Sequence, residues 1–159
     1  MTAVSKEGHK VTFKENAVIV ISKMGPDQWD FEQKIGKASF SVAKLGMGKS
    51  LNVRTPTAVC TVRGTEFEVT VLEDQSTILD VFHVVVSFTD SENNLQEVPV
   101  MENQRSSVRQ GEAPKPPASI PMEDQQKYKI EKSNEGTQGI APEKIPGEVQ
   151  ETKQTNDSK

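Results

Sequence analysis

Between Ala58 and Val71 the chain alternates apolar and polar residues, and the alternation changes phase once. Ala58, Cys60 and Val62 are apolar on even positions, whereas Phe67, Val69 and Val71 are apolar on odd ones. Side chains of a strand point strictly to alternate faces, so one continuous strand cannot bury both sets. An extra residue or a corner must lie between Val62 and Phe67. Gly64 is the residue there that adopts φ > 0 without penalty, so "RGT" (63–65) is read as a bulge or corner joining two strands. Val59 interrupts the simple pattern and fits burial on a second face. Pro56 has no N–H to give to a ladder, which places "TPT" (55–57) at a strand start or an unpaired edge.

Short strands recur through the first 111 residues. "KVTF" (10–13) and "AVIVIS" (17–22) are separated by three residues, a hairpin-like spacing. "MGPDQ" (24–28) is a turn, with Pro26 and Asp27 suited to it. In "WDFEQKI" (29–35), Trp29, Phe31, Gln33 and Ile35 share one face, and Gly36 is read as its end. "ASFSVAKL" (38–45) alternates Phe40 and Val42 with polar positions, and "GMGKS" (46–50) is a further turn. "LEDQS" (72–76) joins Phe67–Val71 to a β-prone run ending at Phe88. No segment sustains a helical period. Strands at intervals of about ten residues predict an all-β domain: a sandwich, a barrel or a solenoid of short antiparallel strands.

Composition changes near Gly111. Six of the nine prolines follow it, and Tyr128 is the one aromatic residue there. Residues 112–121 ("EAPKPPASIP") read as a Pro-rich, extended linker. Residues 122–159 read as a disordered polar tail, because they hold too little apolar area to offset ordering costs of roughly 1–2 kcal/mol per residue. A short helix over 122–132 is the alternative weighed there. The sequence thus divides into a β domain (1–111), a linker (112–121) and a tail (122–159).

The charge balance of −4 and pI near 5.3 give no electrostatic case for nucleic acid. No run is long and apolar enough for a membrane helix. The N-terminus has no signal-peptide pattern, so a full-length chain of this sequence would stay in the cytoplasm. No cofactor, metal or catalytic residue is assigned. "LGMGKS" (45–50) lacks the first glycine of a P-loop, position 43 being Ala43. His9, His83 and Cys60 do not have metal-ligand spacing, and Cys60 reads as a small buried residue. Glu66 and Glu68 lie on one strand face and read as an exposed acidic surface rather than an acid–base pair.

Arg63 has two readings: a structural arginine, solvent-facing or salt-bridged with Glu66 and Glu68 as nearby acceptors, or an arginine displayed on the corner for a partner's carboxylate.

The run "LNVRTPTAVCTVRGTEFEVTV" (51–71), followed by "STILDVFHVVVSF" (76–88), resembles the FecR domain family. Its hallmark is TP-x-A-x-x-x-VRGT-x-F-x-V. Thr55, Pro56, Ala58, Val62, Arg63, Gly64, Thr65, Phe67 and Val69 fall on that pattern in order and spacing. The resemblance covers about 12–114 and looks like the latter part of the domain, with the family's earlier strands missing. At the position of a family glycine this chain has Val84, which implies a continuous or differently bent strand there.

The resemblance implies a non-enzymatic, all-β protein-interaction or sensing module of the bacterial envelope, periplasmic in placement. Its best-understood relatives sense an iron–siderophore receptor and control a sigma factor; that last role needs segments not seen here and is not carried over. The partner is expected to be a protein, of unknown identity. Thr55, Pro56, Arg63, Gly64, Thr65 and Phe67 form the family motif and the candidate interaction corner. The alternative is a structural or self-assembling β module of a larger surface protein. "DVFHVVVSF" (80–88) is expected in the middle of the sheet, since an exposed strand of that composition aggregates. Missing earlier strands would leave an apolar edge uncovered, which predicts self-association.

Overall fold

The computed structural model describes residues 2–25, 27–91 and 97–140, with side chains to 134. It divides into one unit ending at Ile120 and a second beginning at Pro121. The first unit holds twelve described strands: β1 (Thr2–Val4), β2 (Lys10–Phe13), β3 (Val18–Met24), β4 (Gln28–Val42), β5 (Ser50–Arg54), β6 (Ala58–Val62), β7 (Thr65–Val71), β8 (Thr77–His83), β9 (Val85–Asp90), β10 (Glu97–Met101), β11 (Gln104–Val108) and β12 (Ala118–Ser119). They form one curled sheet in the order β10-β9-β6-β5-β4-β7-β8-β11-β12, with β2 and β3 added along β4 and β1 along β2.

β4 is the axis of the fold. Its first half, Gln28–Glu32, runs parallel to β5, and β3 lies antiparallel on its other side. Its second half, from Gly36, pairs antiparallel with β2 and β7. The sheet therefore has two layers. One is built of β1, β2, the end of β4, β7, β8, β11 and β12; the other of β3, the start of β4, β5, β6, β9 and β10. A parallel pair needs a crossover of about a dozen residues. Here the second half of β4 and the turn closed by Lys49 N–H to Gly46 O (3.1 Å) supply it.

The bend in β4 sits at Gly36, whose φ is +89°. Before it Trp29, Phe31 and Gln33 are buried; after it Ala38, Phe40 and Val42 are, so the buried parity changes. Gly36 does not end the strand, as its sequence suggests, but lets the strand pass from one layer to the other. The Gln33 carboxamide is fully buried and donates to Gly36 O (2.8 Å) and Val69 O (2.9 Å), tying the bend to β7.

β2 and β3 do not form the hairpin their spacing suggests. Both run antiparallel to β4, and Lys14 N–H to Lys37 O (2.8 Å) and Lys37 N–H to Glu15 O (3.0 Å) carry the ladder across the gap. Residues 14–17 are thus the counterpart of the Gly36 bend, with Asn16 at φ +53°. The true turn is at Gly25, whose N–H donates to Gln28 O (3.0 Å).

Apolar faces of both layers meet in a single core. Phe67 stacks on Phe40 at 5.0 Å, Phe31 packs against Phe40 at 5.9 Å, and Leu51, Val53, Cys60, Leu79, Val81 and Phe88 are all fully buried. The run 80–88 lies within the sheet: β8 sits between β7 and β11, and β9 between β6 and β10.

Residues beyond Gly111 follow β11. Lys115 N–H donates to Ser107 O (2.9 Å), β12 pairs with Gln104 and Arg105, and Ile120 N–H donates to Asn103 O (2.9 Å). The extended Pro-rich segment is therefore laid along a sheet edge. In the second unit the helix α1 (Met122–Ile140) begins with Asp124 and Gln125 N–H groups donating to Pro121 O. Glu123 and Asp124 in its first turn complement the helix dipole. It contains the shorter helix weighed at 122–132; residues 141–159 of the expected tail lie outside the described residues. Among the described residues no helix is long and apolar enough to cross a membrane.

Candidate functional site

β6 belongs to one layer and β7 to the other, so the chain changes layer at Arg63 and Gly64. Gly64 has φ +141°, and a Cβ there would lie 2.7 Å from the Lys44 Cα. Only glycine allows the corner to pack this closely on the backbone at Lys44. Leu45 N–H donates to Arg63 O at 2.7 Å and fixes the approach.

A second layer change lies beside the first. β8 buries Thr77, Leu79 and Val81; β9 buries Val86, Phe88 and Asp90. The same odd-to-even switch occurs here, between Val81 and Val86. Glu66 pairs with His83 and Phe67 with Val81, so Phe82 is the extra residue. Val84 makes the corner at φ +67°. The Thr65 hydroxyl donates to His83 O and joins the two corners.

Val84 is a β-branched residue in the left-handed region, where a non-glycine residue costs roughly 1–3 kcal/mol. Its side chain is 48% exposed and contributes little packing. Val84→Gly is expected to stabilise the domain by about 1 kcal/mol, the relief exceeding glycine's extra unfolded-state entropy of roughly 0.5–1 kcal/mol. Urea unfolding of the variant beside the wild type checks this; an unchanged or lower midpoint contradicts it.

The two corners and the Ala43–Leu45 segment line an open groove of about 1210 Å³. Its ionisable lining is Lys44, Arg63, Glu66, His83 and Glu97. The Glu97 carboxylate accepts from the Ser87 hydroxyl. His83 lies 3.5 Å from Glu102 with both side chains exposed, an arrangement worth little in water. Arg63 is exposed, and neither its guanidinium nor the Lys44 ammonium forms an ion pair among the described residues.

Glu68, an acceptor weighed for Arg63 from the sequence, is committed elsewhere. It is only 4% exposed, not part of an open acidic surface. It accepts from Lys14 Nζ (2.5 Å) and Ser39 Oγ (2.7 Å), with Lys37 Nζ at 3.4 Å. Burial pushes its carboxyl toward protonation, but the Lys14 and Ser39 hydrogen bonds and the two lysine charges outweigh that and hold it below the ordinary carboxylate range.

The remaining motif residues sit elsewhere. Phe67 is in the core. Thr55 and Pro56 lie at the other end of β6, roughly 15 Å from the corner by strand rise. There Thr55 Oγ1 accepts from Ala58 N–H (2.9 Å) and meets Thr77 Oγ1 (2.6 Å), which also meets Thr57 Oγ1 (2.7 Å). This buried hydroxyl cluster closes the "TPTA" turn. The motif's six singled-out positions therefore do three jobs: a turn, a corner and a core contact. Of them, Arg63, Gly64 and Thr65 meet at one place. Lys44 escapes sequence reasoning; the Val84 corner is the differently bent strand of the two readings weighed at that family glycine position. The parity change from Val81 to Val86 was the signal for that corner, unmarked by any glycine.

Burial raises the Cys60 thiol and keeps it protonated, inert as a nucleophile. His9 is buried, edge-on to Trp29 at 5.3 Å, with Nδ1 accepting from Ala43 N–H (3.2 Å). Burial lowers its pKa, opposed by Glu7, so the ring is held neutral. Among the described residues no group of three or more His, Cys, Asp or Glu is placed to hold a metal.

Fold and corner together define an all-β scaffold whose chain passes between two layers at tight corners. The chain belongs to the FecR protein family, which it matches over residues 2–87. The match begins near the first described strand. Among curated proteins none matches the sequence. Two crystal structures, at 1.65 and 2.50 Å resolution, of a protein from Parabacteroides distasonis ATCC 8503 provisionally assigned as an anti-sigma factor share the fold. Each has a TM-score of 0.63 and 21% identity, over 75% of this chain and 55% of theirs. The chain thus spans little more than half the length of that protein.

Proposed function

We propose that this chain is a non-enzymatic sensing module of the bacterial envelope that acts in signalling through protein–protein contact, with the Arg63 corner as its docking point. The observation that carries the reading is the exposed Arg63 guanidinium, without an ion pair among the described residues, on a corner packed closely on Lys44 through Gly64 and beside Lys44 in an open groove. An exposed planar guanidinium suits a partner's carboxylate, which it binds bidentately. Family membership supports a regulatory rather than a catalytic role and placement in the envelope. The provisional anti-sigma assignment of the structural neighbour accords with signalling.

A structural or self-assembling role is the second reading, favoured by the apolar strand left exposed on β3. Arg63→Ala separates the two. The immobilised chain and the variant are each exposed to a bacterial envelope extract, and retained proteins are quantified by mass spectrometry. The expected result is one specific protein lost about tenfold or more with Arg63→Ala, at an unchanged melting temperature. A variant that melts several degrees lower and a wild type that retains nothing specific would make Arg63 structural.

A further inference from the structure

The layer containing β3 and β10 has two edges, and they are built differently. β10 carries Pro99, which has no N–H, and the charged Glu97, both devices that discourage strand addition. β3 reads Val18-Ile19-Val20-Ile21-Ser22-Lys23-Met24 and has no proline; β4 is its one strand partner among the described residues. Its lone charge, Lys23, is engaged by Gln28 Oε1 at 3.0 Å. Ile21 and Met24 are cross-strand neighbours of the core residues Phe31 and Trp29, yet are 50% and 60% exposed. Val20, on the opposite face, is 44% exposed. The core's apolar layer thus continues past the last strand.

From this we infer that β3 is a dimerisation edge, on which the β3 strand of a second copy pairs antiparallel. Residues 141–159 do not suit it: Ala141, Ile145 and Val149 are their apolar residues, two prolines interrupt them, and the rest are polar, charged or glycine. Head-to-tail pairing of β3 on β10 meets Pro99. Self-pairing meets neither obstacle. With Ile19 opposite Ile19 of the second copy and Val18 opposite Val20, side chains of the same face meet, the apolar Val18–Ile21 stretch lies at the contact and no charge faces a charge within it. The Ser22 bulge and Lys23 fall beyond it, which limits the contact to a closed pair rather than a growing sheet. This edge is separate from the Arg63 groove, and either reading stands without the other.

The test is sedimentation equilibrium of the 159-residue chain, with amide exchange followed over residues 18–24. The expected result is a concentration-dependent dimer below roughly 100 µM, slower exchange in 18–24 on dimerisation, and a dissociation constant raised about tenfold or more by Ile21→Lys. Val20→Lys, on the other face of the strand, gives the same reading should Ile21→Lys fail to fold. A wild type that stays monomeric over that range overturns the inference, as does a dimer that a folded lysine variant leaves unchanged.

Discussion

Replacing Gly36 by alanine is expected to cost roughly 3–5 kcal/mol, a large part of the 5–15 kcal/mol that usually separates a folded domain from its unfolded chain. Two effects add. The backbone at φ +89° disfavours any L side chain, worth about 1–2 kcal/mol. A Cβ would also lie 2.4 Å from Asn16 C and O and 2.5 Å from Ala17 Cα. These are backbone atoms, so no rotamer change relieves the clash; the ladder between β4 and residues 14–17 must part. Gly48→Ala separates the two effects. Gly48 has φ +81° but nothing within 4 Å of its Cβ position, so alanine there is expected to cost only the conformational part, about 1 kcal/mol. Urea unfolding of both variants checks the difference; equal losses would show that the close approach at Gly36 does not matter.

Glu68→Ala is expected to destabilise the domain by about 3 kcal/mol, because removing one member of a buried ion pair takes charge compensation from the other. Lys14 and Lys37 would then lose their shared acceptor in a setting largely closed to water. Replacing Lys14 and Glu68 together by Met and Leu is expected to recover most of the loss, since the apolar pair leaves no desolvated charge. The pH dependence has a definite sign. Glu68 has a folded pKa below its ordinary value of 4.5, so its contribution is present above that pH and is lost as pH falls through the folded value. In Glu68→Gln, acid unfolding should therefore lose part of its steepness below about pH 4.5. Chemical denaturation of wild type and variants from pH 7 down to pH 3 tests this; parallel pH profiles would show that the carboxylate is not held by its lysines.

Both predictions concern residues whose importance the sequence half concealed. Gly36 looks like a stop signal because glycine serves turns and bulges equally. Which one it serves depends on the strand opposite, and residues 14–17 come from the far side of the Gly25 turn. Glu68 looks like an exposed carboxylate because alternation places it away from the core. Its burial depends on Ser39 and Lys37, which β4 brings alongside β7, and on Lys14 from the segment beyond. The failed β2–β3 hairpin has the same origin: a three-residue gap suits a turn, but a long β4 offers both strands a better ladder.

The sequence by itself determined what is local. Alternation set the strands, and the phase change at Val62–Phe67 with glycine between required a corner at "RGT". The nine-position motif gave the family. Only the tertiary structure decided what that corner faces. It set the Val84 corner beside Arg63; the phase change from Val81 to Val86 and the family glycine position at Val84 pointed to a bend, but not to what it packs beside. It also separated Thr55 and Pro56 from Arg63 by the length of β6 and left β3 as an open edge. Side-chain alternation is a property of each strand's own backbone, and so it is written in order along the chain. Strand partners, corner neighbours and the burial of outward-facing charges depend on hydrogen-bond ladders between distant segments, which spacing along the sequence does not encode.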